Sequence, residues 1–566
     1  MSEEREYVVT VQKGVDWLEV HRDIINDTTE DNSVDSSIVP DRSVPIVKER
    51  AVNKRNTHYS LTDEEAEQLR ADERILAVQA VEEIPEPEPM AVQDGNFNRA
   101  SSSSGQQDNW GLLRHTATEN IYGSSFLDPG GTYDYVLDGS GVDVVMMDTG
   151  VQADHPEWEN KFGTSRLIQI DWYDASGVPG TQPANFYTDV NGHGTHCLGT
   201  MAGKTFGWAK NALIYNLTTY GNTGNNIPFS DAIDCLIGWH NNKPINPATG
   251  VKRPTVVNMS FQYTWYLDTS ITPNELNFTS TGAGYDVTGG RHRGSTHSIT
   301  TRANLLSKGV VGSNRGNGQY MFGRKFANID ADVAELIDNG IHVCTAAGND
   351  YMKIAHPGDQ EYNNYITIDI SGTDRYMYYH RGPSPATFEG GDSYTSSNEQ
   401  DFTFNFVGSI VSPVGSPSFN DGFEVGALDN SSIYDSNAAD YLDRKANFSN
   451  AGPGVDIYAA GDAIISAGIS TDSNSYFYGT TGTQTKKSGT SMATPQMCGM
   501  IACLLQAHPE WTPYQVKQYF LNNSQPLLYE TANNDDDYTA TNSIRGGENR
   551  IAYLPMNGAK IFNYGQ

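Results

Sequence analysis

The chain has 566 residues and a formal net charge of −32, from 37 Lys and Arg against 69 Asp and Glu. That balance excludes nucleic acid as a partner, because phosphate-backbone binding needs clustered Lys and Arg. No run of 18 apolar residues offers a membrane span, so a membrane is excluded as a partner too.

The chain opens with MSEEREYVVTVQKG, which lacks the basic and apolar regions of a secretory signal. It is therefore expected inside a cell, in a particle such as a virion, or outside by a non-standard route. Residues 1–90 are strongly charged and read as a small α+β domain. YVVTVQ (Tyr7–Gln12) alternates as a strand does, and Trp17–Ile25 reads as a helix. Residues 27–56 are polar and expected as loop. Thr62 and Glu65 stand at capping-box spacing, opening a helix to about Ala71 that returns as a strand over Ile75–Val81. Residues 91–108, in a stretch rich in Pro, Ser and Gln, are expected as a flexible linker.

Beyond it, short apolar runs alternate with helical patterns. GVDVVMMDTG, ALIYNLTTY, TVVNMSF, IHVCTAAGN, FEVGAL and VDIYAA read as strands buried on both faces. His193–Met201, Phe229–His240, Ala331–Asp338 and Ser491–Gln506 read as helices. The fold class expected is α/β: a doubly wound, mainly parallel sheet with helices on both faces. Such sheets bind ligands beyond the carboxyl ends of their strands. The five cysteines (Cys197, Cys235, Cys344, Cys498 and Cys503) form no C-x-x-C and are expected as reduced, buried thiols.

Four residues at that rim make a chemical set. Asp148 ends one strand and Asn349 follows another, His193 opens a helix after a glycine, and Ser491 stands at the start of an apolar helix. Pro495, tolerated only near a helix start, places that start at Thr490 or Ser491. Taken singly, the Asp and Asn read as turn residues, the His as a surface or core residue, and the Ser as an N-cap. Together they supply the carboxylate, imidazole, hydroxyl and amide donor that serine hydrolysis requires.

The order Asp, His, Ser separates this chain from the chymotrypsin and α/β-hydrolase arrangements. Four motifs resemble the subtilisin-like serine proteases: DTGV (Asp148–Val151), GHGTHCLGTMAG (Gly192–Gly203), AAGND (Ala346–Asp350) and SGTSMATP (Ser488–Pro495). The cysteine inside GHGTHCLGT is similar to the proteinase K branch, and the Asn-, Gly- and Tyr-rich texture is similar to proteases of large bacteriophages.

The resemblance implies Ser491 as nucleophile, His193 as general base and acid, and Asp148 as its orienting carboxylate. It implies Asn349 and the Ser491 N–H as oxyanion hole. Ser260, Phe261 and Gln262 would pair with a polypeptide substrate, with Ala346, Ala347 and Gly348 on the facing wall. His196 is expected to be structural. Cys197 is expected behind His193, as a buried thiol or a point where mercury or oxidation poisons the triad. No cofactor is needed for the chemistry, but Asp456 matches a position that helps bind calcium in some relatives.

The domain of residues 1–90 looks like the propeptide of subtilisin-like zymogens, an intramolecular inhibitor removed by a cut between about Glu88 and Asp108. The catalytic domain would span 109–527, with insertions at about 263–330, 351–412 and 468–487, and a tail at 528–566. The expected function is a self-processing serine endopeptidase. The alternative is a catalytically silent scaffold that keeps the fold.

Overall fold

The structure, a computed structural model, describes residues 4–12, 14–25, 38–39, 42–48, 56–80, 91–95, 97, 99, 108–123, 131–222, 224–261, 264–269, 277–280, 283–292, 294–298, 319–323, 327–349, 354, 365–370, 373–378, 421–437, 439–472, 475–478, 482–529, 544 and 546–556. Residues 1–88 and 89–566 form two compact units.

In the first unit, alternation buries Tyr7, Val9 and Val11 on one face of β1 (Arg5–Val11). Then follow α1 (Trp17–Ile25), β2 (Ile46–Lys48), β3 (Asn56–Leu61), α2 (Asp63–Arg70) and β4 (Ile75–Ala80). The four strands pair antiparallel in the order β2-β3-β1-β4. Val20 and Ile24 of α1 and Ala66 and Leu69 of α2 close the core over Tyr7, Val9, Tyr59 and Leu61. The capping box is present: the Thr62 hydroxyl accepts the Glu65 N–H at 3.3 Å, and the Glu65 carboxylate accepts the Thr62 N–H at 2.7 Å. β2 departs from the loop expected over residues 27–56, and β3, which begins at its last residue, was not anticipated. β3 reads NTHYSL, and its buried face of Thr57, Tyr59 and Leu61 is too polar to stand out as a strand.

The second unit runs β5 (Ala91–Gly95), α3 (Gly111–Arg114), β6 (Gly131–Tyr135), β7 (Asp143–Asp148), α4 (Trp172–Ser176), α5 (His193–Ala202), β8 (Leu213–Thr218), α6 (Phe229–Asn242) and β9 (Thr255–Met259). Next come β10 (Thr264–Thr269), β11 (Asn277–Ser280), β12 (Ala283–His292), β13 (Ser295–His297), β14 (Gln319–Gly323), α7 (Ala327–Asp338) and β15 (His342–Ala346). It ends with β16 (Tyr365–Ile370), β17 (Thr373–Tyr378), β18 (Phe423–Asp435), β19 (Asp440–Lys445), β20 (Ile457–Ala460), β21 (Ile464–Ala467), β22 (Ser475–Tyr478), β23 (Gly482–Lys487), α8 (Thr490–Ala507) and α9 (Pro513–Asn523).

All six apolar runs enter one sheet, parallel in the order β8-β7-β9-β15-β18-β20, with β19 antiparallel along the far half of β18. Alternation sends Val144 and Met146 of β7 into a core with α5 and α8. It sends Val145 and Met147 into another with α4, α6 and α7. Burial on both faces is why β7 reads as an unbroken apolar run.

The segment expected as a linker is different. β5 pairs antiparallel with β6, and Phe97 and Arg99 are fully buried in the second unit. Arg99 donates to the carbonyls of Asp429 (2.8 Å) and Ser431 (3.1 Å), and its guanidinium lies 4.6 Å over the Trp110 ring. It also shares the buried Asp443 carboxylate with Arg114. Asp429, Ser431 and Asp443 lie hundreds of residues along the chain, so local composition could not announce them. Residues 101–107 lie outside the described residues.

The segments expected as the first two insertions join in one structure. β10, β11, β12, β16, β17 and β14 pair each with the next, and β14 returns to β10, closing a ring of six antiparallel strands with β13 added to β12. The segment expected as the third insertion adds the β22–β23 hairpin to β21.

Candidate active site

Every catalytic candidate stands beyond the carboxyl end of a parallel strand, or at the start of a helix facing that rim. Asp148 is the last residue of β7 and is fully buried. Its Oδ1 accepts from His193 Nδ1 at 2.7 Å, from the Thr149 N–H at 2.7 Å and from the Tyr220 hydroxyl at 3.2 Å. His193 is the first residue of α5, after Gly192 in the left-handed region (φ 82°). One carboxylate ties this entry down. Asp189 accepts the N–H groups of Gly192 (2.8 Å) and Thr195 (3.0 Å) and the hydroxyls of Thr195 (2.7 Å) and Thr149 (3.1 Å). Thr149 also accepts the Gly194 N–H at 2.9 Å, so Asp189 and Thr149 join the Asp148 turn to the His193 helix.

Burial opposes charge on His193, but the Asp148 carboxylate outweighs it and holds the imidazole well above its ordinary 6.5. Burial pushes the neighbouring Cys197 thiol up, so it stays neutral, and the lift on His193 belongs to Asp148. His196 behaves oppositely. Burial, with Lys487 and His193 nearby, lowers it to about 3, and its neutral Nε2–H faces the carbonyls of Ile464 (3.1 Å) and Thr485 (3.2 Å). The second histidine of the motif thus fastens α5 to β21 and β23.

Ser491 is the second residue of α8, whose N-cap, Gly489, offers no side chain. The Ser491 N–H bonds none of the described residues. Asn349 is fixed by its oxygen: Oδ1 accepts the Thr490 N–H at 2.7 Å and the Thr490 hydroxyl at 3.0 Å, leaving Nδ2 to donate. A Cβ on Gly489 would lie 3.4 Å from Asn349 Nδ2 and 3.6 Å from the Ser491 nitrogen, so glycine keeps the space between these two donors open. The Ser491 hydroxyl donates to the Ser260 carbonyl at 3.2 Å.

A model of the subtilase family (peptidase S8) matches residues 139–546, which hold the whole of this constellation. The chain belongs to the subtilase family. Its relatives include a subtilisin-like proteinase of Pyricularia oryzae, 25% identical over 48% of this chain and 37% of that protein. A subtilisin-like serine protease of Cochliobolus lunatus is 23% identical over 89% of this chain and 70% of that protein. An extracellular serine proteinase of a Thermus species is 23% identical over 89% and 76%. Similar solved structures include a cold adapted subtilisin-like serine proteinase, with 20% identity, a TM-score of 0.39, and 80% of this chain and 98% of that one covered.

The other candidates of this subtilase divide. Phe261 leaves β9 half-buried, its ring 5.1 Å from Tyr220 and 6.0 Å from Phe229, in an aromatic cluster that reaches Asp148 through the Tyr220 hydroxyl. Gln262 lies outside the described residues. Ala346 and Ala347 are buried, and the backbone of Ala347 and Gly348 bonds to Val425, Asn450 and Thr490. These three residues therefore brace Asn349 from behind and offer few free polar groups.

Asp456 does not fit a calcium ion. Its Oδ1 pairs with the Lys517 ammonium at 2.9 Å, and its Oδ2 accepts the Glu424 N–H at 2.9 Å. Lys517 also donates to the Gly422 carbonyl at 2.7 Å. A lysine already supplies the positive charge, and a divalent ion would be repelled by it. The calcium expectation at Asp456 is thus corrected: the motif gave the carboxylate, but the lysine lies 61 residues downstream.

Asp189, Tyr220 and Thr490 were not singled out from sequence. Asp189 and Thr490 lie within or beside the quoted motifs, so their positions were the available signal. Tyr220 ends the strand run ALIYNLTTY, so its only signal was its place at the carboxyl rim of the sheet, and the fold brings it to Asp148.

Proposed function

We propose that this subtilase is a serine endopeptidase that acts on polypeptides and is made as a zymogen. The observation that carries this reading is the pairing of the buried Asp148 with the half-buried His193 beside an uncapped helix start holding Ser491, with Asn349 fixed to donate toward the same space.

In the reaction, the Ser491 hydroxyl turns from the Ser260 carbonyl to His193 Nε2 and gives up its proton as it attacks the scissile carbonyl. Catalytic hydrogen bonds often form fully only with substrate bound. Asp148 holds Nδ1–H, which leaves Nε2 as the base and stabilises the imidazolium that forms. The Ser491 N–H and Asn349 Nδ2 receive the oxyanion, aided by the positive end of the α8 dipole. His193 then protonates the leaving amine, and water repeats the sequence on the acyl-enzyme.

The first unit is the intramolecular inhibitor and is released by the enzyme itself. The burial of Phe97 and Arg99 supports a cut on the N-terminal side of Ala91, so that both stay with the catalytic unit. Intact-mass measurement of wild type beside Ser491→Ala, with fluorophosphonate labelling, tests the reading. Loss of about 90 residues from wild type alone, with labelling of wild type alone, is the expected result. If both chains stay full length and unlabelled, the scaffold alternative replaces it.

A further inference from the structure

Pro495 stands four residues after the nucleophile, where an α-helix would place the N–H that meets the Ser491 carbonyl. Proline has none. The carbonyl is enclosed, since Ser491 is 8% exposed, and a buried carbonyl needs a donor. Two side chains from distant parts of the chain provide it. The Ser260 hydroxyl reaches the Ser491 oxygen at 3.1 Å and the Cys197 thiol reaches it at 3.2 Å.

Both donors are themselves held. Asn258 Nδ2 donates to Ser260 Oγ at 2.9 Å, and Cys197 lies one turn after His193 on α5, its sulfur 3.9 Å from Nδ1. Burial pushes the thiol up, which keeps its proton available for donation. Ser260 grips the nucleophile twice, since its own carbonyl accepts the Ser491 hydroxyl. The adjacent Thr490 carbonyl is met from inside the helix by the Thr494 hydroxyl at 2.8 Å.

We infer that Ser260 and Cys197 are positioning residues for the nucleophile, standing in for the backbone donor that Pro495 removes. This rests on the endopeptidase reading. Holding the Ser491 carbonyl fixes the peptide plane that follows Cα, and so the direction of Cα–Cβ. An N–H at position 495 would satisfy the carbonyl within α8 alone. The proline makes it a shared acceptor, so that α5, which carries the base, and the end of β9, which faces substrate, are fastened to the nucleophile at one atom.

The test restores the missing donor. Cys197→Ala, Ser260→Ala and the double substitution are made with Pro495 present and again with Pro495→Ala. Each folded protein is then titrated with a fluorophosphonate probe to separate kinact from KI. With proline present, the double substitution is expected to lower kinact about 10- to 100-fold, as for two buried hydrogen bonds, with KI changed less than about threefold. With Pro495→Ala, the same pair is expected to cost less than about threefold, because the two sites are coupled through one acceptor. Cys197→Ser keeps a donor and is expected to recover most of the kinact that Cys197→Ala loses. If the double substitution does not fold, the single substitutions carry the same comparison. An equal loss in both backgrounds, or no loss in either, overturns the inference while leaving the endopeptidase reading intact. A wild type that does not label overturns both.

Discussion

Two helix starts meet at this site, and they are built in opposite ways. The start of α5 is closed: Asp189 takes the N–H groups of Gly192 and Thr195, so the dipole there is spent on holding His193 still. The start of α8 is left open. Gly489 brings no side chain, Thr490 gives its N–H to Asn349, and the Ser491 N–H is left to its task. In the proposed reaction the base needs a fixed ring with a free nitrogen, whereas the oxyanion needs free N–H groups and an uncompensated dipole. A capping side chain that would stabilise an ordinary helix would disable the second of these.

The contrast can be broken most severely at the open end. Ser491→Ala is expected to lower turnover about a millionfold and to abolish self-processing, read by intact mass and peptide hydrolysis. Asn349→Ala removes one oxyanion donor and is expected to lower kcat about 100- to 1,000-fold with little change in KM. At the closed end, Asp189→Ala opens the α5 start. A loss of about 1–2 kcal/mol in thermal unfolding is expected, as for a lost cap. Its kcat should fall less than that of Asn349→Ala.

The pH dependence sharpens the comparison further. His193 must be neutral to act as base and its value is raised, so the acid limb of kcat/KM is expected above 6.5. The sign for stability is opposite. The His193–Asp148 pair stabilises the fold fully below the unfolded value near 6.5, and that contribution is lost as pH rises through the raised folded value. Activity should therefore rise across the window in which this part of the stability falls, which thermal melts and rate profiles over the same pH range would show. Tyr220→Phe has the smallest expected effect. Without the tyrosine donor the Asp148 carboxylate holds His193 more strongly, so the acid limb should move to higher pH, with kcat changed about two- to fivefold.

Much of this was legible before the structure. β7 and β15 announced themselves because burial on both faces demands unbroken apolar residues. The motif residues were legible because helix starts and strand ends tolerate few alternatives. What stayed hidden has one physical character: contacts made across long stretches of chain. Arg99 finds Asp443, Lys517 finds Asp456, and Ser260 and Cys197 find Ser491, yet none of these pairings leaves a local pattern. β3 was missed for another reason: its buried face of Thr57, Tyr59 and Leu61 alternates with half-buried His58 and Ser60, so the apolar contrast between its faces is weak.

The closed ring of strands bears on how such a chain could have been assembled. β10 to β14 precede the strand that leads to Asn349, and β16 and β17 follow it. Either of these segments alone would present unpaired strand edges, which invite pairing with other chains. Neither is therefore a separable ornament. Trimming this protein to a minimal enzyme would require both excisions together, and a variant lacking only one is expected to be recovered as aggregate on size-exclusion chromatography.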